Sequence, residues 1–560
     1  MNVQNIAVAD FTQAYGILCA PLPSGNFRQA LQPTFCRITM GLKTTVHSHF
    51  ETELFYIIAG NGMMSIDGSS FLVAKGDLVR IPPFTSHELE NTGLGDLDFL
   101  SIYSEDFEVP ALPFKVIITA APPTPNGPLH LGHISGPYLA SDVVARYLRQ
   151  KNSTVISHTG TDDHQNYVAA RAGALGLETE DFREAMRKRI FTGLKNFRIE
   201  FDETIEPKKD PAYQERIHQF FQRAVDSNFI RLQSVAFPHC ESCDHFLVDA
   251  LVEGCCPECL GDSRGGCEAC GLVVPPYELI DPACSRCKRK AGLRELSIYT
   301  FDLGKHLPLI EKDLEELALK PRIREMIARV SRRKELTVML THPDPAGNGI
   351  PHEQIGQSYH VWFEMAAHYE KFALGDDFWI HNFGFDNSFY YLLFIPALLR
   401  AMDAKAKLPD AVVTNEFLEL EGLKFSTSRN HAIWADEFTG NNDHLRLYLL
   451  INRPDSMSDN FSAKDFTTFS EDLDRRLKKL SDFSLQANKG TSLTTHRMNR
   501  EMDALLHPTQ LDLRRAARLL HHYLQADARD DFSKVALAGL MSPFMPGEAT
   551  KLMENIGGTV

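Results

Sequence analysis

The chain has 560 residues, 43% hydrophobic and 23% charged, which suits about three or four domains with cores of their own and argues against extensive disorder. It lacks the long apolar run of a membrane span, and its start, MNVQNIAVADFTQAYG, lacks the basic flank and apolar stretch of a secretory signal, so a soluble, cytoplasmic protein is expected. A formal net charge of −15 gives no global footprint for a polyanion, which weakens a nucleic-acid role but leaves room for a local basic stripe.

Residues 1–112 carry short strand-like segments: FCRITMGL, LFYIIAG, NGMMSIDG, SFLVAKGDLVRIPP and DLDFLSIYS. Their Gly and Pro punctuation predicts an all-β sandwich or barrel. Within it Gly41-x5-His47-Ser48-His49-x3-Glu53-x6-Gly60 is followed by Gly76-x5-Pro82-x4-His87-x3-Asn91. Side chains two apart on a strand share a face, so His47 and His49 can point together into the barrel. Glu53 and His87 complete a three-nitrogen, one-oxygen set suited to zinc or another first-row divalent ion. Any one of these would pass for a surface residue, but the two halves together resemble the cupin family. Phe84 departs from it, standing where the second motif usually has Gly.

At Pro110-Ala111-Leu112-Pro113 the character changes. Residues 115–120 read as a strand that leads through a Pro/Gly-rich loop into a helical pattern at 134–149, as an α/β nucleotide-binding domain begins. The loop is Pro125-Asn126-Gly127-Pro128-Leu129-His130-Leu131-Gly132-His133. Small residues let ATP approach the backbone, the helix N-terminus attracts phosphate, and His130 and His133 can stabilise charge during adenylate formation.

Nine of the 11 cysteines fall between Cys240 and Cys287, as Cys240/Cys243, Cys256/Cys259, Cys267/Cys270 and Cys284/Cys287 with Cys255 left over. Such knuckles point to metal rather than disulfides, and eight thiolates suffice for two tetrahedral zinc sites. Which pairs share an ion stays open. Further on, Glu421-Gly422-Leu423-Lys424-Phe425-Ser426-Thr427-Ser428-Arg429-Asn430 is a loop whose lysine and hydroxyls can close over pyrophosphate. Beyond residue 470 the pattern turns helical, most clearly in LRRAARLLHHYLQ and FSKVALAGLM.

The order and separation of the two nucleotide motifs resemble the class I aminoacyl-tRNA synthetases. Gly160-Thr161-Asp162-Asp163-His164, His360-Val361-Trp362-Phe363-Glu364, Asn415-Glu416-Phe417-Leu418 and Asp459-Asn460-Phe461-Ser462 are similar to the methionyl branch. The resemblance implies a multidomain chain: an all-β cupin barrel, then an α/β Rossmann-type catalytic domain over 113–475 with a structural zinc-knuckle insertion at 238–290, then a truncated α-helical bundle over 476–560. It implies ATP with Mg2+, catalytic roles for His130, His133, Lys424, Ser426 and Ser428, and ATP contacts at Asn126, Gly132, Gly384 and Asp386. Asp162 would hold the substrate ammonium, and Thr124, Trp362, Met365, Tyr369, Asn387 and Tyr391 would line the amino-acid pocket. The family's second loop lysine is replaced by Thr427.

Several departures bear on substrate. Pro122 and Thr124 stand where the family has Leu and Tyr, Met365 replaces a small alanine, and Asn387 and Tyr391 replace an apolar residue and a histidine. Met365 overpacks a pocket built for a thioether, so a smaller amino acid, glycine first, is expected. Met541-Ser542-Pro543-Phe544-Met545-Pro546 looks like the family's closing segment, but the stretch after the Lys424 loop is short for a complete anticodon-reading bundle. Codon-specific tRNA recognition is therefore not expected.

The fusion as a whole resembles the bacterial hydrazine synthetases of natural-product pathways. That resemblance implies glycyl-adenylate formation, attack by a side-chain N-hydroxylated lysine, and N–N bond formation in a zinc-dependent cupin. It also implies an upstream lysine N-hydroxylase as supplier, with no tRNA and no membrane. The rivals are a methionine-tRNA ligase with a cupin appendage, another tRNA-independent amino-acid ligase, and a degenerate ligand sensor. Retained His130, His133, Lys424 and Asp162 oppose the last.

Overall fold

The computed structural model describes residues 11–21, 31–47, 49, 51–82, 85–104, 111–333, 335–344, 346–351, 356–425, 431–482, 493–525 and 534–555. The chain forms two units, Met1–Pro110 with His496–Ala504, and Ala111–Thr495 with Leu505–Val560. Among the described residues no helix is long and apolar enough to cross a membrane.

The first unit is antiparallel β structure. Leu31–Ile38 pairs with Leu97–Ser104 along its whole length, and Thr52–Ala59 flanks Leu97–Ser104 on the other side. A smaller sheet joins Ser69–Ala74, Asn61–Ile66 and His87–Asn91. The two-residue period of Thr52–Ala59 turns Glu53, Phe55 and Ile57 inward, into a core with Ile38, Met64, Leu89 and Phe99. The segment SFLVAKGDLVRIPP, expected as one strand, divides into Ser69–Ala74 and Leu78–Ile81. Gly76 takes a positive φ of 96° between them, and the Asp77 carboxylate accepts the Ala74 N–H at 2.8 Å, closing a turn. His87–Asn91 reads as polar in sequence, yet His87, Leu89 and Asn91 are its buried face.

The second unit centres on a five-stranded parallel sheet in the spatial order Glu203–Ile205, Thr154–Gly160, Lys115–Ala120, Phe378–Gly384, Ala411–Asn415. Lys115–Ala120 comes first in the chain but sits centrally, so the strand order reverses direction beside it, and ligands of such sheets bind at the carboxyl ends there. The helix expected at 134–149 begins at Leu131 and runs to Gln150 through a wide turn at Ile134–Tyr138. Pro137 has no N–H to give the ladder, and Gly136 leaves helical geometry at φ −83°, ψ −122°.

An antiparallel ribbon of Ile230–Cys240 and Gly292–Asp302 lifts the cysteine segment out of this sheet. Ala463–Asp482 is one continuous helix, so the helical part starts before the boundary expected after residue 475. In Leu513–Gln525, Leu513, Ala516, Ala517, Leu520 and Leu524 fall on one buried stripe. The 541–546 segment is fixed by Arg446, fully buried, which donates to the carbonyls of Phe197, Pro543 and Phe544 and to Asp142 at 2.7–2.9 Å.

Candidate functional site

At the carboxyl ends of Lys115–Ala120 and Phe378–Gly384 lies a cavity of about 400 Å³. His130 is the residue before the Leu131 helix, and His133 is the third residue inside it. The His130 N–H donates to His133 Nδ1 at 3.2 Å, so the proton of the neutral His133 ring sits on Nε2. The two rings stack at 3.8 Å, and His130 stacks again on Phe425 at 4.6 Å. Gly132 is needed here, because a Cβ would sit 2.9 Å from the His130 ring. Desolvation, then the neighbouring His133, push His130 well below its ordinary pKa, and desolvation also lowers His133, although that residue is itself exposed.

Asn126, Gly132, Gly384, Asp386 and Lys424 also line this cavity. Burial and then Glu268 raise Asp386 to about 6. Lys424 pairs with Glu268 of the cysteine segment and lies 5.0 Å from the Phe417 ring centroid. Ser426, Thr427 and Ser428 lie outside the described residues, as does Phe84 of the first unit.

Deeper in, Asp162 is buried beside Thr124, whose hydroxyl donates to it at 3.4 Å. Burial, then Glu364 and Asp163, raise its carboxyl well above the usual range. Glu364 is itself held by His164 at 2.8 Å, and Asp163 by Arg187 at 2.8 Å. Trp362, Met365, Asn387 and Tyr391 form the wall facing Asp162. Met365 and Tyr391 are 5% and 4% exposed, so these two bulky side chains are buried in the cavity wall. Tyr369, expected on that wall, instead lines a void of about 10 Å³ behind Met365 with His158 and His368.

Glu268, Gln165 and the His164–Glu364 pair were not singled out from sequence. His164 and Glu364 lie inside recognised segments, but nothing in a linear motif signals their pairing. Glu268 meets Lys424 across 156 residues of chain.

The cysteines resolve into two sets, Cys240, Cys243, Cys284, Cys287 and Cys256, Cys259, Cys267, Cys270, the Sγ atoms of each within 4.8 Å of one another. Outer knuckles share one set and inner knuckles the other, each a four-thiolate donor set that fits structural zinc. Asp249, His342 and His360 also converge within 4.8 Å. There His360 Nδ1 accepts the Trp362 N–H at 3.4 Å and Nε2 faces Asp249 at 3.5 Å, so protein already engages both nitrogens.

In the first unit His47, His49 and His87 form a third candidate metal cluster. The strand expected to carry both His47 and His49 does not form: they precede Thr52–Ala59, and His47 makes a single bridge to His87. The Nδ1–H groups of His47 and His87 donate to the carbonyls of Thr45 and Thr85 at 2.7 and 2.8 Å, which leaves both Nε2 atoms as lone-pair donors. Glu53 Oε2 lies 3.0 Å from His49 Nε2 and 3.2 Å from His87 Nε2, while Oε1 accepts the Ser101 hydroxyl at 2.5 Å. Burial opposes charge on Glu53, but His49, His87 and Ser101 outweigh it and bring it down to about 2. Two imidazoles of fixed tautomer, His47 and His87, with the His49 ring and an ionised carboxylate make a donor set that fits a divalent ion.

Residues 116–478, well over half the chain, match the family described as tRNA synthetases class I (M), and residues 35–103 match the cupin domain. The methionine–tRNA ligases of Methanococcus maripaludis strain C5 and Pyrococcus furiosus are 31% and 29% identical to this chain, over 63% of its length. It covers 55% and 54% of theirs, so it spans about half the length of these curated relatives. The structure of Mycobacterium tuberculosis methionyl-tRNA synthetase in complex with methionyl-adenylate aligns with a TM-score of 0.59 at 17% identity, over 80% of this chain and 94% of that one. That likeness is one of fold.

Proposed function

The chain belongs to the class I (M) tRNA synthetases and carries a cupin domain, and on that premise we propose that it is an ATP-dependent ligase joining glycine to a side-chain N-hydroxylated lysine through an N–N bond. The observation that supports the reading is the lining of the catalytic cavity, where the buried, bulky Met365 and Tyr391 share the wall with Asp162.

In the first step the glycine carboxylate attacks the α-phosphorus of ATP and pyrophosphate leaves. His133 Nε2–H, the His130 ring and Lys424 offer donors to the phosphates, with Mg2+ accompanying the nucleotide. Lys424 has to exchange Glu268 for pyrophosphate, so Glu268 holds it poised in the free protein. On this reading Asp162 fixes the ammonium, and the bulk of Met365 on the cavity wall disfavours a longer side chain. The hydroxyl of the acceptor then attacks the acyl carbon, loses its proton and releases AMP, leaving an O-acyl hydroxylamine ester.

In the second step the glycyl amine attacks the hydroxylamine nitrogen through a five-membered arrangement. The N–O bond breaks, its electron pair leaves with the carboxylate, and an N–N bond forms. His47, His49, Glu53 and His87 would hold the cupin ion, zinc by the donor set and the absence of net redox change, which supplies Lewis acidity toward the ester. Chemistry of this kind requires an upstream lysine N-hydroxylase and no tRNA.

A pyrophosphate-exchange screen over all amino acids, with product mass measured in the presence of the hydroxylated lysine, tests this. Glycine-dependent exchange and a product carrying both skeletons are expected. Methionine-dependent exchange exceeding that with glycine, followed by transfer to tRNA, would overturn it in favour of the activity in the relatives' names.

A further inference from the structure

Beside the catalytic cavity lies a second one of about 920 Å³, walled on its far side by the cysteine segment. The two are adjacent, with Thr124, Asn126, Gln165, Glu268, Trp362, Asp386 and Asn387 lining both. Its floor is aromatic: Trp362 and Tyr390 stack with ring centroids 3.9 Å apart and planes 7° from parallel. Asp249, Glu253, Asp262, Glu268, Asp281 and Asp386 line it, against Arg264 as the one Lys or Arg among its described lining residues.

Some of this charge is already matched. Glu268 pairs with Lys424, Asp281 with Lys290, and Glu253 with both Arg264 and Lys288. Because Lys288 holds Glu253 at 2.6 Å, Arg264 can turn toward a ligand without stranding that carboxylate. Asp249 differs, since its partner is the His360 ring at 3.5 Å. Burial opposes its charge, but His360 and His342 outweigh burial and keep it ionised. Gly265, at φ +118°, brings the Arg264 loop so close that a Cβ there would lie 3.0 Å from Asp249 Oδ1. The Tyr167 hydroxyl marks the same convergence: burial first, then Asp249 and Glu268, oppose its ionisation, while Arg264 favours it.

A nucleophile bound for the acyl-adenylate has this space available beside it. Its acidic lining repels the phosphates of a polynucleotide end and attracts an ammonium. We propose that this second cavity is the acceptor site and takes a free α-amino acid with an extended, non-anionic side chain. Arg264 holds its carboxylate, Asp249 its ammonium, and the Trp362–Tyr390 floor carries its methylene stem toward the catalytic cavity. The inference rests on the ligase reading above and adds where, and by which charges, the acceptor is held.

The test uses the full-length protein and two variants, Arg264→Gln and Asp249→Asn, with two probes: side-chain N-hydroxylated lysine and its decarboxylated counterpart. For Arg264→Gln, glycine-dependent pyrophosphate exchange stays at the parent level, while KM for the hydroxylated lysine rises about tenfold or more with kcat little changed, as loss of a charged hydrogen bond requires. The parent's preference for the carboxylated probe disappears in Arg264→Gln and persists in Asp249→Asn, whose KM rises for both probes. Unchanged acceptor KM in both variants, with exchange intact, overturns the acceptor site and leaves the ligase reading standing. Absence of glycine-dependent exchange in the parent protein overturns both.

Discussion

In the proposed reaction Met365 sets which amino acid is activated, as a bulky residue on the wall of the catalytic cavity. Met365→Ala vacates that volume. Methionine-dependent pyrophosphate exchange is then expected to rise about tenfold or more, since a few methylene-sized groups are worth roughly 1–3 kcal/mol each to a pocket. The same truncation of a buried side chain costs about 2–5 kcal/mol of stability, read as a lower urea midpoint. A folded variant with an unaltered amino-acid profile would remove Met365 from specificity. The position was legible in sequence because it follows the recognised Trp362 at helical spacing. Tyr369 was not correctly placed by the same reasoning, since only packing reveals that Met365 stands between it and the cavity.

At the scale of elements, the parallel sheet is joined through buried, neutral histidine. In Phe378–Gly384, His381 Nδ1 lies 2.6 Å from the Thr119 hydroxyl and 3.3 Å from the Thr119 carbonyl, and that hydroxyl accepts the Trp379 indole N–H at 2.8 Å while donating to the Ile380 carbonyl at 3.4 Å. Burial lowers His381 to about 3 against an ordinary 6.5. Between those values the unfolded chain binds the extra proton, so stability falls as pH falls from 6.5 toward 3, by about 1.4 kcal/mol per pH unit for this one group. His381→Asn keeps a hydrogen-bonding side chain but cannot titrate. Urea midpoints from pH 7 to pH 4 should fall less steeply in the variant; an equal slope would exclude His381 as a source of acid sensitivity.

The knuckle elements allow a sharper test. Cys240→Ser with Cys284→Ser removes two ligands of one set, so bound zinc should drop by one ion per chain, whereas sequential pairing of the knuckles would damage both sites. That pairing was invisible in the spacing of CxxC units, because the Ile230–Cys240 and Gly292–Asp302 ribbon closes the ends of the segment on each other. Strands with clear alternation, such as Lys115–Ala120 and Leu97–Ser104, were legible. Thr12–Ala14, Ile17–Pro21 and His87–Asn91 were not, being short or polar, with an inner face defined only by their partners.

For the whole molecule, the proposed reaction requires two chemistries that no single cluster provides. The catalytic cavity has an ammonium anchor, phosphate donors and no candidate metal set among its described lining residues, while the metal candidates of the first unit are three imidazoles and Glu53. The proposed reaction therefore places activation in one unit and N–N bond formation in the other. His47→Ala with His49→Ala deletes two nitrogen donors from the cupin and touches nothing in the catalytic cavity. Glycine-dependent exchange and acceptor-dependent AMP release should continue within about twofold of the parent, while hydrazine product falls by at least about a hundredfold, as expected when a metal that lowers a barrier by several kcal/mol is lost. The O-acyl ester, or the hydroxylated lysine and glycine from its hydrolysis, should accumulate in step with AMP. Loss of exchange in a variant that still melts as the parent does would join the two chemistries in one site; undiminished hydrazine in a metal-free variant would free the second step from the cupin altogether.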